Sequence, residues 1–525
     1  MSDTTKTSKE LEHSRPFDVH TWSDHQEANE FVDLIHEKHF HSSPLSKIRK
    51  KHLKVVLLDL YVTWKEDPTL LTRIHRGKGS YIAGSRYNEL HISYRVIAVI
   101  DRLVELELLG FQKGIPGKDN WKGGRTSRIW PREKLRRHFL EAKFSLLDVS
   151  YLHTVDDGGV YVKGRESIIL HDAAKNDVAY KDTPQTNSMR EVLDAYNFML
   201  LWTHVDCRHL DDPPQILKSD DTQIPINQDR KFVRRIFNNS DWEKGGRFYG
   251  GFWQRINKEH RSKIMIGGKR TIEIDFSGHH IALLYAQENI NYYEEFGFRS
   301  DPYDISIPEF IHHPKFSRKL AKDTLLIAVN ARDERSAFPA IRKKVKDDAD
   351  KPHHPAKPKG LSLTNDFLRR VLNLLREKHP LISDMFCSGA GIDLQYTDSR
   401  ITEHIIKHFA IDRVATGGIP VPVLSVHDSY IIAEEYKDEL WEEMQIAWDK
   451  ETSLKLDPNK VGYLQSLSPQ NTRAIQHGYT DELIEDDPEE HQRLIASKED
   501  DYVSPHYIER FKTFEKWRKK GKASM

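Results

Sequence analysis

Apolar positions recur at two periods along this chain, and the switches between them outline its elements. Leu53, Val56, Leu57, Leu60, Tyr61 and Trp64 follow helical spacing from about Lys51. A second helix is expected after Ser85. A third starts at Ser93, a good N-cap, with Val96, Ile97, Ile100, Leu103 and Val104 inward and Gly110 as its stop. A short strand (111–113), a Gly-rich excursion (114–126) and a second strand (127–130) complete the layout of a winged helix-turn-helix. Short strands with turns are expected over 144–180, and an amphipathic helix over 187–205. The run 229–239 sets four basic residues around Phe232, Val233, Ile236 and Phe237, either as a solvated helix face or as a contact to nucleic-acid backbone.

In the second half, Ile272 and Ile274 alternate with Thr271, Glu273 and Asp275, so a strand is expected to end at Asp275. A turn at Ser277-Gly278 leads into the buried helix Ile281–Ala286. A helix capped by Ser317 follows, then a polar loop over 344–360 in which His353-His354 reads as loop composition rather than a metal site. Helices are expected over 364–378, after the turn Ser388–Gly391, and over 438–450. Val421, Val423 and Ser425 open an apolar strand that turns at His427-Asp428 and leaves as Tyr430–Ala433.

Composition adds limits. A length of 525 residues suits about three domains. The division expected is a flexible, loosely ordered N-terminal arm (1–45), a winged-helix-like domain (46–140), a connecting α+β, thumb-like region (141–240), a catalytic unit (241–455) and a C-terminal extension (456–525). The Pro- and Asp-rich segment Asp211–Gln228 is the best candidate boundary. Lys plus Arg equal Asp plus Glu at 80 each, so any electrostatic footprint for a polyanion must be local. Two cysteines cannot frame a disulfide scaffold. No apolar run is long enough to span a bilayer, and a cytoplasmic protein without a membrane partner is expected. In the winged-helix segment, DNA contacts would fall to Arg95, Lys122, Arg125 and Arg128; acidic Asp101, Glu105 and Glu107 argue against deep groove insertion. The alternative is a module that only packs or contacts protein.

An aspartate at a strand end is ordinarily a turn former. Asp275 gains meaning from Asp428, a second acidic strand end, and from Arg318 and Lys322, two cations one helical turn apart. Asn330 lies two turns beyond Lys322 on the same face. Two carboxylates on neighbouring strands can bind two divalent ions roughly 3.5–4 Å apart. Oxygen ligands and a phosphate substrate favour Mg²⁺, with Mn²⁺ as the alternative. In-line phosphoryl transfer is the matching chemistry.

These segments, in this order, resemble the palm and fingers of family A DNA polymerases and the related single-subunit phage and mitochondrial RNA polymerases. Gly246-Arg247 with Gln254 is similar to the segment that contacts primer and template. Asp275-Phe276-Ser277 resembles the first metal-binding motif, which would add the Phe276 backbone carbonyl as a ligand. Arg318-x3-Lys322-x7-Asn330 is similar to the fingers helix that grips the incoming triphosphate. Gln395 and the helix it heads, and Val426-His427-Asp428-Ser429, resemble the remaining two motifs.

The resemblance covers about residues 240–450. It implies an α+β fold with a right-hand palm of antiparallel sheet and helices, helical fingers, and the winged helix in front. It further implies a nucleotidyltransferase whose partners are template, primer and nucleoside triphosphates, at work in replication of a mobile or phage-like element. The 43 residues from Asp275 to Arg318 and 106 from Lys322 to Asp428 are closer to the DNA polymerases. His280 stands where the family has the glutamate that excludes the 2′-hydroxyl, and Asn330 replaces an aromatic. His280 and Asn330 would then face the nucleotide, and a primase or small RNA polymerase is the alternative. No stretch supplies the acidic cluster of a proofreading exonuclease. From other classes, a non-catalytic replication initiator with a degenerate palm and a template-independent nucleotidyltransferase stay open.

Overall fold

A computed structural model describes residues 6–40, 46–116, 124–149, 165–217, 223–276, 278–297, 300–349, 355, 358, 360–454 and 502–523. Two apolar cores organise them. The first lies among α2 (Gln26–Phe40), α3 (Ser46–Glu66), β2 (Leu71–Ile74), α4 (Arg95–Glu105), β3 (Leu109–Gln112), β4 (Ser127–Pro131) and α5 (Glu133–Leu140), while α1 (Ser8–Glu12), followed by β1 (Ser14–Pro16), sets Leu11 in a small separate cluster with Leu71 and Trp130. Its sheet has the order β1-β2-β4-β3, antiparallel except for the parallel β1–β2 pair.

Three expectations fail in this part. The segment 1–45 is not a loose arm over its described residues, because α2 drives Phe31, Val32 and Ile35 into the first core. No helix follows Ser85. Asn88 instead donates to the carbonyls of Ile82 and Ile92 and accepts from the Ile92 N–H, which fixes a series of turns. Gly110 does not end α4: the chain leaves the helix after Glu105, and Glu107 takes a left-handed φ of 56°. Gly110 lies in β3 beneath Trp130, where a Cβ would sit 2.1 Å from the indole.

The second core takes β5 (Ile168–Leu170), α6 (Pro184–Leu201), β6 (Val205–Cys207), β7 (Gln215–Leu217), β8 (Gln223–Pro225), β9 (Arg234–Asn238) and β10 (Asp241–Tyr249). It continues through α7 (Lys258–Arg261), β11 (Ile264–Ile266), β12 (Lys269–Asp275), α8 (His279–Gln287), α9 (Tyr292–Phe296), α10 (Pro314–Asn330), α11 (Glu334–Asp348) and α12 (Asn365–Lys378). It ends with α13 (Gly391–Lys407), α14 (Arg413–Ala415), β13 (Val423–Val426), β14 (Ser429–Ala433) and α15 (Lys437–Thr452); α16 (Pro505–Ala523) follows, its buried Tyr507 and Phe514 lying outside both cores. The central sheet, β13-β14-β12-β11-β6, is antiparallel throughout. A second sheet, β10-β9-β5, packs against α13, and α10 packs against α11 and α12. The class is α+β. No helix among the described residues is long and apolar enough to cross a membrane.

Further corrections follow from pairing over long sequence distances. Residues 229–239 form a turn and β9 rather than a helix. Arg235 is buried, donating to the Gly246 carbonyl (2.7 Å) and Ser399 (3.0 Å) and paired with Glu403. Lys231 is buried against the Thr203 carbonyl (2.5 Å), and Arg230 donates to Glu66. Two of these cations face the protein interior and a third is spent on Glu66. Ile216, Ile224 and Ile226 are buried in the second core and β6 already belongs to the central sheet, so Asp211–Gln228 is not a boundary. α10 starts at Pro314, which leaves Ser317 inside the helix rather than at its cap. Residues 344–348 close α11 instead of opening a loop. His353, His354 and Lys122 lie outside the described residues.

Candidate active site

The β12–β14 register places Asp275 opposite Ser429. β13 and β14 are joined by only His427 and Asp428, with His427 in the left-handed region at φ 57°. The Phe276 N–H donates to the Asp428 backbone carbonyl at 3.2 Å. Asp275 and Asp428 are thereby held at one end of one sheet. Phe276 anchors this end, its ring buried against His279, Tyr430 and Trp448 at centroid distances of 5.0, 6.4 and 6.0 Å. Glu273, two residues back on the same face, is already taken up by Arg261 (2.9 Å to each oxygen) and the Ser429 hydroxyl (2.7 Å).

Solvent reaches Asp275, yet its carboxylate is crowded by protein. That loss of hydration, then the charges of Asp428 and Glu273, push its pKa well above the usual carboxylate range. Lys322 and Lys258 oppose the shift. The electrostatics are those of two carboxylates short of positive charge.

α10 supplies cations on this side. Arg318 and Lys322 both lie over the Tyr303 ring, 5.6 and 5.5 Å from its centroid. Burial first, then Tyr293 and Asp301, and Asp428 least, raise the Tyr303 pKa. Arg318 is engaged by Asp301. Lys322 is exposed, makes no ion pair among the described residues, and acts on Asp275. Lys258, at the start of α7, was not singled out from sequence; its one local signal is the Asn257 cap that fixes it there.

Behind the carboxylates lies a polar network that sequence reading missed. Asp398 on α13, 2 % exposed, accepts from Arg247 Nε (2.7 Å) and His279 Nε2 (3.1 Å). Its burial acts against its charge, but His279 and Arg247 hold its pKa well below the carboxylate range. Arg247 Nη2 also donates to His280 Nε2 (3.3 Å). Burial, His279 and Arg247 lower the His280 pKa to about 4, so His280 is neutral at pH 7. Accepting on Nε2 leaves its proton on Nδ1. The hint for Asp398 was its position three residues after Gln395, one turn along α13.

The other candidate residues are placed differently. Gln254 bridges inside the protein, accepting from the Gly250 N–H and donating to the carbonyls of Phe248 and Ser425. It ties β10 to β13 instead of facing a primer. Asn330 donates back to the Leu326 carbonyl (2.7 Å), and its Oδ1 sits where a Cβ on Gly391 would be. Eight residues beyond Lys322, it is about 12 Å away along the axis. Gln395 is half-exposed on α13, and His427 is exposed beside Tyr249 (6.4 Å between rings). In the first sheet, Arg128 is buried and donates to the Leu11 and Thr126 carbonyls, and Arg125 lies 3.7 Å from Glu12. Both hold the N-terminal segment. Arg95 is exposed at the start of α4.

Among the described residues no group of three or more His, Cys, Asp or Glu side chains is set to hold a metal ion. Asp275 and Asp428 are a pair, and the negative charge that adds to burial in lifting Asp275 is what a hard divalent cation relieves. Their oxygen donors fit Mg²⁺ or Mn²⁺. Compared with protein-family models, curated proteins and solved structures, the chain matches none.

Proposed function

We propose that the chain is a template-dependent nucleic-acid polymerase acting by two-metal phosphoryl transfer, with DNA synthesis as its first activity. One observation carries the reading: strand pairing brings Asp275 and Asp428, 153 residues apart, to one sheet end that Lys322 faces from α10. In this reading the central sheet is a palm, α10–α12 are fingers, and the first sheet with α3 and α4 is a winged-helix-like element near the template. Asp275, Asp428 and the Phe276 carbonyl would hold Mg²⁺, which when bound activates the attacking hydroxyl and neutralises the leaving pyrophosphate.

The side chains have separate tasks. Lys322, exposed and without an ion-pair partner among the described residues, takes the triphosphate charge, and Arg318 adds to it on release from Asp301. Tyr303 keeps the two cations on one side. Asp398 fixes Arg247, and Arg247 fixes the His280 ring. Use of ribonucleotides is the second reading, favoured by His280: a neutral ring with an Nδ1–H presents a donor that a 2′-hydroxyl oxygen can accept.

Primer extension with Mg²⁺ and separate pools of deoxy- and ribonucleotides tests both. Template-directed incorporation that Asp275→Ala and Asp428→Ala each abolish is the expected result. Incorporation unchanged in both variants sinks the proposal. Site-specific DNA binding without incorporation would support a replication initiator instead.

A further inference from the structure

The last helix, α16, carries seven basic and two acidic side chains in a chain whose formal net charge is zero. Its two faces differ. Tyr507 and Phe514 are buried, Trp517 stacks on Trp202 (5.0 Å, 20° between planes), and Phe511 packs on His204 (5.3 Å). Arg510 donates to Asp206 (2.8 Å) and the Leu210 carbonyl (3.1 Å), and Trp517 donates to Asp148 (3.0 Å). This face locks α16 onto β6 and onto the end of the first core.

The opposite face presents Lys512, Lys516 and Lys519, all exposed, at spacings of about 6 and about 4.5 Å along the axis. None has an ion-pair partner among the described residues. Glu509, one turn earlier, is the acid on that face, while Glu515 pairs with Arg518 around the side. The contrast with the first sheet is informative. There Arg76, Arg102, Arg125 and Lys134 are opposed by Asp101, Glu105, Glu12 and Glu107.

We infer that the Lys512–Lys516–Lys519 face of α16 is a docking track for the phosphate backbone of nucleic acid, outside the candidate active site. The inference rests on the reading of the chain as a nucleic-acid enzyme and adds where such a polymer is held. Three cations on one helix face, outnumbering its single acid and without an ion-pair partner among the described residues, attract a polyanion without sequence preference. An anionic membrane is the lesser fit: surface helices insert an apolar face, and here that face is consumed by Trp202, His204 and the β6 edge.

The test uses the full chain and a triple variant, Lys512→Gln, Lys516→Gln and Lys519→Gln, whose exposed positions leave the fold intact. Binding of a labelled single strand and of its duplex is followed by anisotropy from about 50 to about 200 mM salt. The expected result is affinity lower by about tenfold or more, with the slope of log K against log salt shallower by about 2–3 units. An unchanged melting temperature and unchanged incorporation at saturating primer-template complete it. An unaltered affinity and slope overturn the inference. So does a loss confined to vesicles of phosphatidylserine and phosphatidylcholine. Absence of nucleotide incorporation in the unaltered chain would remove the polymerase reading, yet a shallower slope in the variant would still establish the track.

Discussion

Arg247 and Asp398, 151 residues apart, meet at 2.7 Å between Nε and Oδ2 and thereby join β10 to α13 behind the two carboxylates. The carboxylate is buried and its pKa depressed, so this pair contributes stability above the ordinary carboxylate pKa and loses it only as strong acid protonates Asp398. Asp398→Asn strands a half-buried guanidinium. Denaturant unfolding at pH 7 is expected to show a loss of about 3–5 kcal/mol, partly recovered when Arg247→Met is added. A wild-type stability in the single variant would contradict this account.

Asp275 behaves in the opposite sense. Its pKa is raised, so folding stability falls as pH climbs from the unfolded carboxylate value toward the folded one, and the penalty is complete above it. Asp275→Asn is expected to melt at or above the wild-type temperature at pH 7. Nucleotide incorporation by the same variant should fall on the order of a thousandfold or more. Loss of activity together with loss of folding would mean that Asp275 is structural.

The two α10 cations should separate in steady-state kinetics. Lys322→Gln removes a charge that has no ion-pair partner among the described residues and is expected to raise KM for the nucleoside triphosphate about tenfold. Arg318→Gln should do less, because Asp301 already opposes that guanidinium.

Gly246 is held at φ 74° with a would-be Cβ 2.8 Å from Phe237 and 2.9 Å from the Ser399 hydroxyl. Gly246→Ala therefore meets both backbone strain and the close approach of β10 to α13. A loss of about 1–3 kcal/mol is expected in denaturant titrations. Serine at the same position should be no better.

His204, 1 % exposed, is ringed by Tyr507, Phe511 and Phe514, and burial, with Lys231 and Arg510, lowers its pKa to about 3. Its folded pKa is depressed, so the unfolded chain takes up the proton first and stability falls as pH drops from about 6.5 toward 3. By pH 5 the loss through this group is about 2 kcal/mol. His204→Phe keeps a ring in the pocket and should flatten the melting temperature between pH 6.5 and 5.

The local parts of this architecture were readable. Ile272 and Ile274, and the apolar run Val421–Val426, announce their strands because alternation is a short-range signal. Helices 364–378 and 438–450 announce themselves by apolar spacing. What stayed hidden depends on partners far along the chain. Arg235 sits in a strand interior only because Glu403 and Ser399 meet it there, so the basic run 229–239, which by itself suits a solvated helix face or a nucleic-acid contact, gives no sign of β9. Gln254 is spent on Ser425, and Asp398 matters through Arg247; neither link has a local trace. The turns after Ser85 are held by side-chain bonds of Asn88 and His91 that helical spacing does not announce.

Glu66 closes α3 with no exposed side-chain surface, accepting from Arg230 (2.9 and 2.8 Å) and Asn227 (2.7 Å), while Arg15 and Asp59 lie just behind it. These charges are contributed by both cores and are neutralised only in each other's company. The two halves are therefore one inheritable unit. A fragment cut anywhere between Val149 and Arg230 would part Glu66 from its hydrogen-bonded guanidinium, leaving it only the more distant Arg15 at 3.9 Å. Deletion series should show this as a cliff in soluble yield rather than a gradual decline, and a swap of the first 149 residues for another module would have to bring its own Glu66.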